Sequence, residues 1–320
     1  MKDCSEDIGS RLALRVAAEA EAWEAPRDVE GLAFVDATDM PVLDVGRFLS
    51  DPNEEERRRL GAEVRDACER VGFMYLKNHG LSALDRAFAA AREMKSFEEK
   101  TALRRGQGFV MSGNRVLPER STANYNESFI VKRIDTLDDV PWPNDAFRDV
   151  VEAMAADYER LAKRILPLYA EAFGMPPDYF LPFFEHPVFR MRLATYDATP
   201  PGQFGISPHV DTSFFTLLAS TDYSGLVLYS TKKRAWLRAL DIPGALVVNT
   251  GQLLAQLSND TWPATRHYVV ARAPRISVPF FFNATASVPV PVVPSCVDDD
   301  HPAKYPPISY LTSQAAAQGE

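Results

Sequence analysis

The chain has little of what staples, spans or grips nucleic acid. Three cysteines, Cys4, Cys68 and Cys296, are spread over 320 residues with no C-x-x-C among them. That argues against a disulfide framework and fits a reducing compartment. No apolar run reaches the length of a membrane span. Near the start, Asp3, Glu6 and Asp7 stand where a secretory leader would carry a basic and then an apolar segment, so a cytoplasmic protein is expected. Lys and Arg (35) are outnumbered by Asp and Glu (44), for a net charge of −9 and no basic stripe, which counts against nucleic acid as a partner. There are no internal repeats and no low-complexity tract. With 46% hydrophobic and 25% charged residues, the chain has the composition of an ordinary globule. Its length suffices for one large domain or two intimate ones.

Histidine is scarce as well, and that scarcity makes the pattern around two of the five informative. His186 and His301 each precede a proline, and His79 sits in the turn-like Lys77-Asn-His-Gly80. His209 and His267 stand differently. His209-Val-Asp211 has i, i+2 spacing, which on a strand turns both side chains to one face. Fifty-five residues lie between Asp211 and His267, enough to bring the second imidazole in from a later strand. Two imidazoles and a carboxylate on one face of a metal leave the opposite positions open, the ligand set of non-haem Fe(II) oxygenases. Taken singly, H-x-D is more often a surface pair than a metal site. The ordered conjunction with Arg275-Ile-Ser277, eight residues past His267, is far more specific. On a strand Arg275 and Ser277 share a face, where a guanidinium and a hydroxyl can grip a carboxylate.

Elements follow from periodicity and punctuation. Residues 1–38 form an extension in which Leu12, Val16, Ala20 and Trp23 recur at helical spacing. Pro41–Val45 reads as a strand, Asp51-Pro-Asn-Glu54 opens a helix, and Phe73–Lys77 reads as a second strand. Ser82 is placed as the cap of a further helix. Residues 106–133 look like a long irregular loop, a candidate lid. A long amphipathic helix over Phe147–Phe173 carries Val150, Met154, Tyr158, Leu161, Ile165 and Leu168 and stops at Gly174. Beyond Phe189 short strands alternate with turns, the pattern of a sandwich or barrel: 189–196, 206–211, 214–220, 226–230, 235–239, 245–249, 265–271 and 275–283. A final helix is expected from Ile308. The expected division is an extension over 1–38, a helix-and-strand region over 39–180 and a β-rich region over 181–320.

Several stretches carry a family resemblance: Met40-Pro-Val-Leu-Asp44, Val71-Gly-Phe-Met-Tyr-Leu-Lys-Asn-His-Gly80, Arg192-Leu-Ala-Thr-Tyr196, His209-Val-Asp-Thr-Ser-Phe-Phe-Thr216, Gly225-Leu226, Trp236, Asn249-Thr-Gly251, Leu257-Ser-Asn259, His267 and Arg275-Ile-Ser-Val-Pro-Phe-Phe281. From about Met40 to about Leu311 the chain resembles the isopenicillin N synthase-like Fe(II)/2-oxoglutarate-dependent dioxygenases. The resemblance implies an α+β fold with a double-stranded β-helix (jelly-roll) core flanked by helices and preceded by an α/β region. It implies Fe(II) on His209, Asp211 and His267, with 2-oxoglutarate and O2 as co-substrates. The far carboxylate of 2-oxoglutarate would meet Arg275, Ser277 and Tyr196. Ala194 and Asp197 depart from the family's Arg-x-Asn-x-Tyr-Pro, and Gln252 stands where an acidic residue often follows Asn-x-Gly. The implied reaction is hydroxylation, desaturation or ring closure of a small organic substrate in specialised metabolism, releasing succinate and CO2. Two alternatives stay open at this point: an isopenicillin N synthase-type iron oxidase that does without 2-oxoglutarate, and a non-catalytic jelly-roll binding protein. Phe215, Phe281 and residues 106–133 are candidates to shape the substrate pocket. Strand parity puts Phe281 on the face of Arg275 and Ser277, with Phe280 and Phe282 turned the other way.

Overall fold

A computed structural model of the chain describes residues 25–97, 100, 106–113, 124–134, 137 and 139–312. The amphipathic stretch Leu12–Trp23 lies outside these residues, as does all but the first turn of the expected C-terminal helix, at Tyr310–Thr312.

Two sheets form the core. Eight strands make the larger: β1 (Val42–Asp44), β2 (Phe73–Lys77), β3 (Gly108–Val110), β4 (Glu127–Arg133), β5 (Pro187–Tyr196), β7 (Phe215–Ser220), β10 (Leu246–Thr250) and β12 (Arg275–Thr285). Their order across the sheet is β1-β2-β10-β7-β12-β5-β4-β3. The smaller is built from β6 (Ile206–His209), β8 (Leu226–Ser230), β9 (Ala235–Arg238) and β11 (His267–Val269), in the order β6-β11-β8-β9. This is the jelly-roll core of an α+β fold, and all eight strands expected beyond Phe189 are present. Both the front region and the later one supply strands to the large sheet.

The sheet separates two environments by alternation. One face packs on helices α1 (Gly46–Ser50), α2 (Glu54–Arg70), α3 (Leu84–Glu93) and α4 (Asp145–Ala172). Tyr158 of α4 stacks on Phe280 at 5.1 Å and donates to the Val278 carbonyl at 2.8 Å, which pins helix to strand. Phe184 stacks on Phe282 at 5.0 Å. The opposite face of the sheet looks into the roll and carries polar residues.

Residues 106–133 are not loop throughout. They supply β3 and β4, whose outward Phe109 and Phe129 stack edge-on at 4.9 Å in the core. Ser82 does not cap α3, which starts at Leu84 after Ala83 with no side-chain cap; burial of Ala87, Ala90 and Ala91 holds it instead. The helix opened by Asp51-Pro-Asn-Glu54 is capped by Asn53, which accepts from the Glu56 amide at 3.0 Å.

Candidate functional site

His209 is the last residue of β6 and pairs across the ladder with His267 of β11. Asp211 does not lie on that strand. It falls in the connection between β6 and β7, so the strand-alternation reading of His209-Val-Asp211 fails although the side chains still converge. Backbone bonds hold the connection in place. Gln252 N–H donates to the Asp211 carbonyl at 2.7 Å, Gly251 N–H to that of Phe214 at 3.0 Å and Leu253 N–H to that of Ser213 at 3.2 Å. A Cβ on Gly251 would lie 1.8 Å from the Ser213 carbonyl oxygen, so only glycine permits this approach.

The three side chains offer ligand atoms that all lie within 4.8 Å of one another. Asp211 Oδ1 is 3.6 Å from His209 Nε2 and 3.9 Å from His267 Nε2. Its other oxygen is already engaged: Oδ2 accepts from Thr216 Oγ1 at 2.7 Å and from Asn249 Nδ2 at 2.8 Å. On the histidines, His209 Nδ1 faces the Ser207 carbonyl at 2.9 Å, and His267 Nδ1 faces that of Thr265 at 3.0 Å. A proton on each Nδ1 satisfies these carbonyls and leaves both Nε2 lone pairs on the side of Asp211 Oδ1. Burial, with the His209 imidazole adding to it, pushes His267 down to about 4, so the ring is neutral at neutral pH. Burial opposes ionisation of Asp211, but the two imidazoles and Asn249 outweigh it and hold the carboxyl well below its ordinary range. Neutral imidazoles and an ionised carboxylate are the protonation states that metal ligands require. The donor set fits Fe(II).

Arg275 opens β12, facing Tyr196, its register partner on β5. The guanidinium is buried, 5.0 Å above the Tyr196 ring, and Nη2 donates to Ser220 Oγ at 2.8 Å. Its Nε and Nη1 have no hydrogen-bond partner. Two buried donors left open are what an incoming carboxylate would satisfy. Ser277 Oγ lies 3.5 Å from the Tyr196 hydroxyl on the same face.

The aromatic candidates part company. Phe281 pairs with Thr216, whose hydroxyl binds Asp211, so it lies on the inward face and is half-buried. Phe215 precedes Thr216 and therefore turns outward. It stacks on Tyr169 of α4 at 4.9 Å and is fully buried in the helix-side core, which removes it from the pocket wall. Asn249 and Thr216 were given no role by sequence reasoning. Asn249 stood in Asn-Thr-Gly251 without a reason, because a partner of Asp211 thirty-eight residues away leaves no local signal.

Residues 186–284 match the 2OG-Fe(II) oxygenase superfamily, and residues 40–148 match the family described as non-haem dioxygenase in morphine synthesis N-terminal. The chain is 28% identical over 303 residues to the 2-oxoglutarate-Fe(II) type oxidoreductase hxnY of Emericella nidulans, covering 84% of this chain and 86% of that protein. It is 27% identical over 307 residues to oxoglutarate-dependent flavonoid 7-O-demethylase 1 of Ocimum basilicum, covering 88% and 78%. The crystal structure of a full-length Neurospora crassa protein in complex with alpha-KG has the same fold, with a TM-score of 0.79 at 22% identity over 90% of this chain and 99% of that one. No helix among the described residues is long and apolar enough to cross a membrane. With the site's donors and both family matches in agreement, the chain belongs to the Fe(II)/2-oxoglutarate-dependent dioxygenase superfamily and is an oxidoreductase that uses Fe(II), 2-oxoglutarate and O2.

Proposed function

We propose that His209, Asp211 and His267 hold the iron, that Arg275, Ser277 and Tyr196 hold the far carboxylate of 2-oxoglutarate, and that the chain oxygenates a small organic molecule bound near Phe281. The observation that carries this reading is the pair of open, buried donors on Arg275. A surface salt bridge would leave no such donors open, and 2-oxoglutarate brings the carboxylate that fills them. With Fe(II) bound, O2 would be the oxidant: 2-oxoglutarate would give up two electrons, leaving as CO2 and as succinate that keeps one oxygen atom, and the substrate C–H bond would give up two more and take the other oxygen atom.

The chain's own residues bind, orient and exclude water. Thr216 and Asn249 fix which Asp211 oxygen faces the ion, and the Ser207 and Thr265 carbonyls fix the imidazole tautomers. Phe73 meets His267 edge-on at 5.4 Å and walls off one side. Arg275 at the end of β12 sets where the co-substrate lies. The likeness to a flavonoid demethylase supports a small organic substrate and a place in specialised metabolism. The free thiols Cys68 and Cys296 support a cytoplasmic setting.

The test is iron- and O2-dependent conversion of 2-oxoglutarate to succinate in the presence of a metabolite extract, with Asp211→Ala as control. Succinate formed by the native protein and not by the variant is the expected result. Equal succinate from both, or none from either, contradicts the reading.

A further inference from the structure

Tyr196 ends β5, Arg275 opens β12, and the two residues are register partners at the end of their ladder. Between this rung and the C-terminal end of α3 lies a cavity of about 250 Å³. Arg92, Lys95, Thr195, Tyr196, Thr221 and Arg275 line it. His209, Asp211, His267 and Ser277 do not, so it is distinct from the metal site.

Three bases and no acid line this cavity, in a chain of net charge −9. Lys95 is matched by Asp197 at 2.6 Å. Arg92 has no ion pair or side-chain hydrogen bond among the described residues. Arg275 is 3% exposed, and its guanidinium bonds a neutral hydroxyl, that of Ser220. Thr195 turns to the helix side, because Ala194 and Tyr196 take the inward positions of β5. Its hydroxyl is buried with no hydrogen-bond partner, an arrangement that costs stability unless a ligand accepts from it. Thr195 also borders a second cavity, of about 190 Å³, beside Glu127 and Asp197. There the charges are already matched, Glu127 by Lys100 and Asp197 by Lys95. The attraction for an anion is therefore on the side of Arg92 and Arg275.

These two cations differ in depth. Arg92 is exposed at the mouth of the cavity, and Arg275 is buried at its floor. A ligand that meets both carries an acid group at each end. Cavities for drug-sized ligands run to about 300–1,000 Å³, so this smaller one limits the ligand to a short chain. We propose that the cavity is a second small-molecule site, which takes a short dicarboxylate. One carboxylate lies toward Arg275 and Thr195, the other toward Arg92 and Lys95. The proposal goes beyond the oxygenase reading and shares only Arg275 and Tyr196 with the co-substrate's site. Negative charge on both sides of one guanidinium makes each ligand weaken the other by a finite factor, without excluding it.

The probe is radiolabelled succinate, presented by equilibrium dialysis to the anaerobic native protein with Fe(II) and increasing 2-oxoglutarate. Saturating 2-oxoglutarate clears the co-substrate's own site, so retention should fall to a plateau and stay there. Succinamide, which lacks both charges, should not displace the label. Arg92→Gln should weaken the plateau retention roughly tenfold, Thr195→Val should weaken it by less, and Arg92→Lys should restore most of it. Without succinate, the 2-oxoglutarate titration followed by visible absorption should be native in all three variants, which also shows that they fold. Retention that vanishes as 2-oxoglutarate saturates, no retention at all, displacement by succinamide, or retention unchanged in Arg92→Gln or Thr195→Val overturns the proposal. Failure of the oxygenase reading shows separately, as absence of iron- and 2-oxoglutarate-dependent absorption in the native protein.

Discussion

Asp211 divides its two oxygens between the protein and the ion. Thr216 and Asn249 occupy Oδ2, so Oδ1 has one direction left. Loss of such supporting bonds costs roughly 10–100-fold in metal affinity. Asn249→Ala and Thr216→Val are each expected to weaken Fe(II) binding within that range, as measured by competition with a coloured chelator, while circular dichroism stays native. Unchanged Fe(II) affinity in both would show that Asp211 is held by other means. In the proposed function Arg275 acts on the co-substrate and not on iron. Removing one member of a buried charge pair costs about 2–5 kcal/mol, and each 1.4 kcal/mol is about tenfold in affinity. Arg275→Ala should therefore raise the 2-oxoglutarate Kd at least tenfold at constant Fe(II) affinity. Arg275→Lys should recover part of it, because an ammonium cannot reproduce the fork. At this scale the site was largely legible, since ligand types and order are local text. The supporting residues were not, because Thr216 and Asn249 reach Asp211 only through the fold.

Element geometry decides what each neighbour in sequence can do. On β7, Thr216 faces the site and Phe215 the helices, stacked between Tyr169 at 4.9 Å and Phe282 at 5.2 Å. Phe215 was a pocket candidate with no parity argument behind it, and its place next to Thr216 on β7 turns it to the helices instead. For β12 the count was unbroken, and Phe280, Phe281 and Phe282 fall on the faces that alternation assigns. Phe215→Ala should cost about 3–5 kcal/mol of stability as a core truncation and leave the 2-oxoglutarate Kd unchanged; urea unfolding beside a binding titration separates the two effects. Gly251→Ala tests the clamp on the connecting segment. A methyl there must push Ser213 and with it Asp211, so Fe(II) affinity should fall more steeply than stability. A variant with native iron affinity would show that the segment adapts.

The whole molecule joins strands from distant parts of the chain. β2 pairs with β10, joining Phe73 to Asn249, and strands β1 to β4 complete a sheet whose middle comes from the later half. Individual strands could be read from alternation and turns. Their order could not, since pairing across more than 170 residues leaves no periodic trace. The small β3 and β4 were lost in a polar stretch for the same reason: they become strands by packing Phe109 and Phe129 against each other, Phe147 and Trp142. Compactness also governs thiol chemistry. Cys68 is fully buried under α4, and burial raises its thiol far above the ordinary range. Iodoacetamide should spare Cys68 in the native protein and label it after unfolding; rapid native labelling, mapped by peptide mass, would contradict the packing of α2. The most direct test of the central account is an anaerobic titration in which Fe(II) and then 2-oxoglutarate are added to the native protein and to Arg275→Ala. The account predicts stoichiometric iron binding by both, with a weak visible charge-transfer band on adding 2-oxoglutarate that saturates at far lower concentration in the native protein. Iron binding with no band in either, or bands that saturate together, would contradict it.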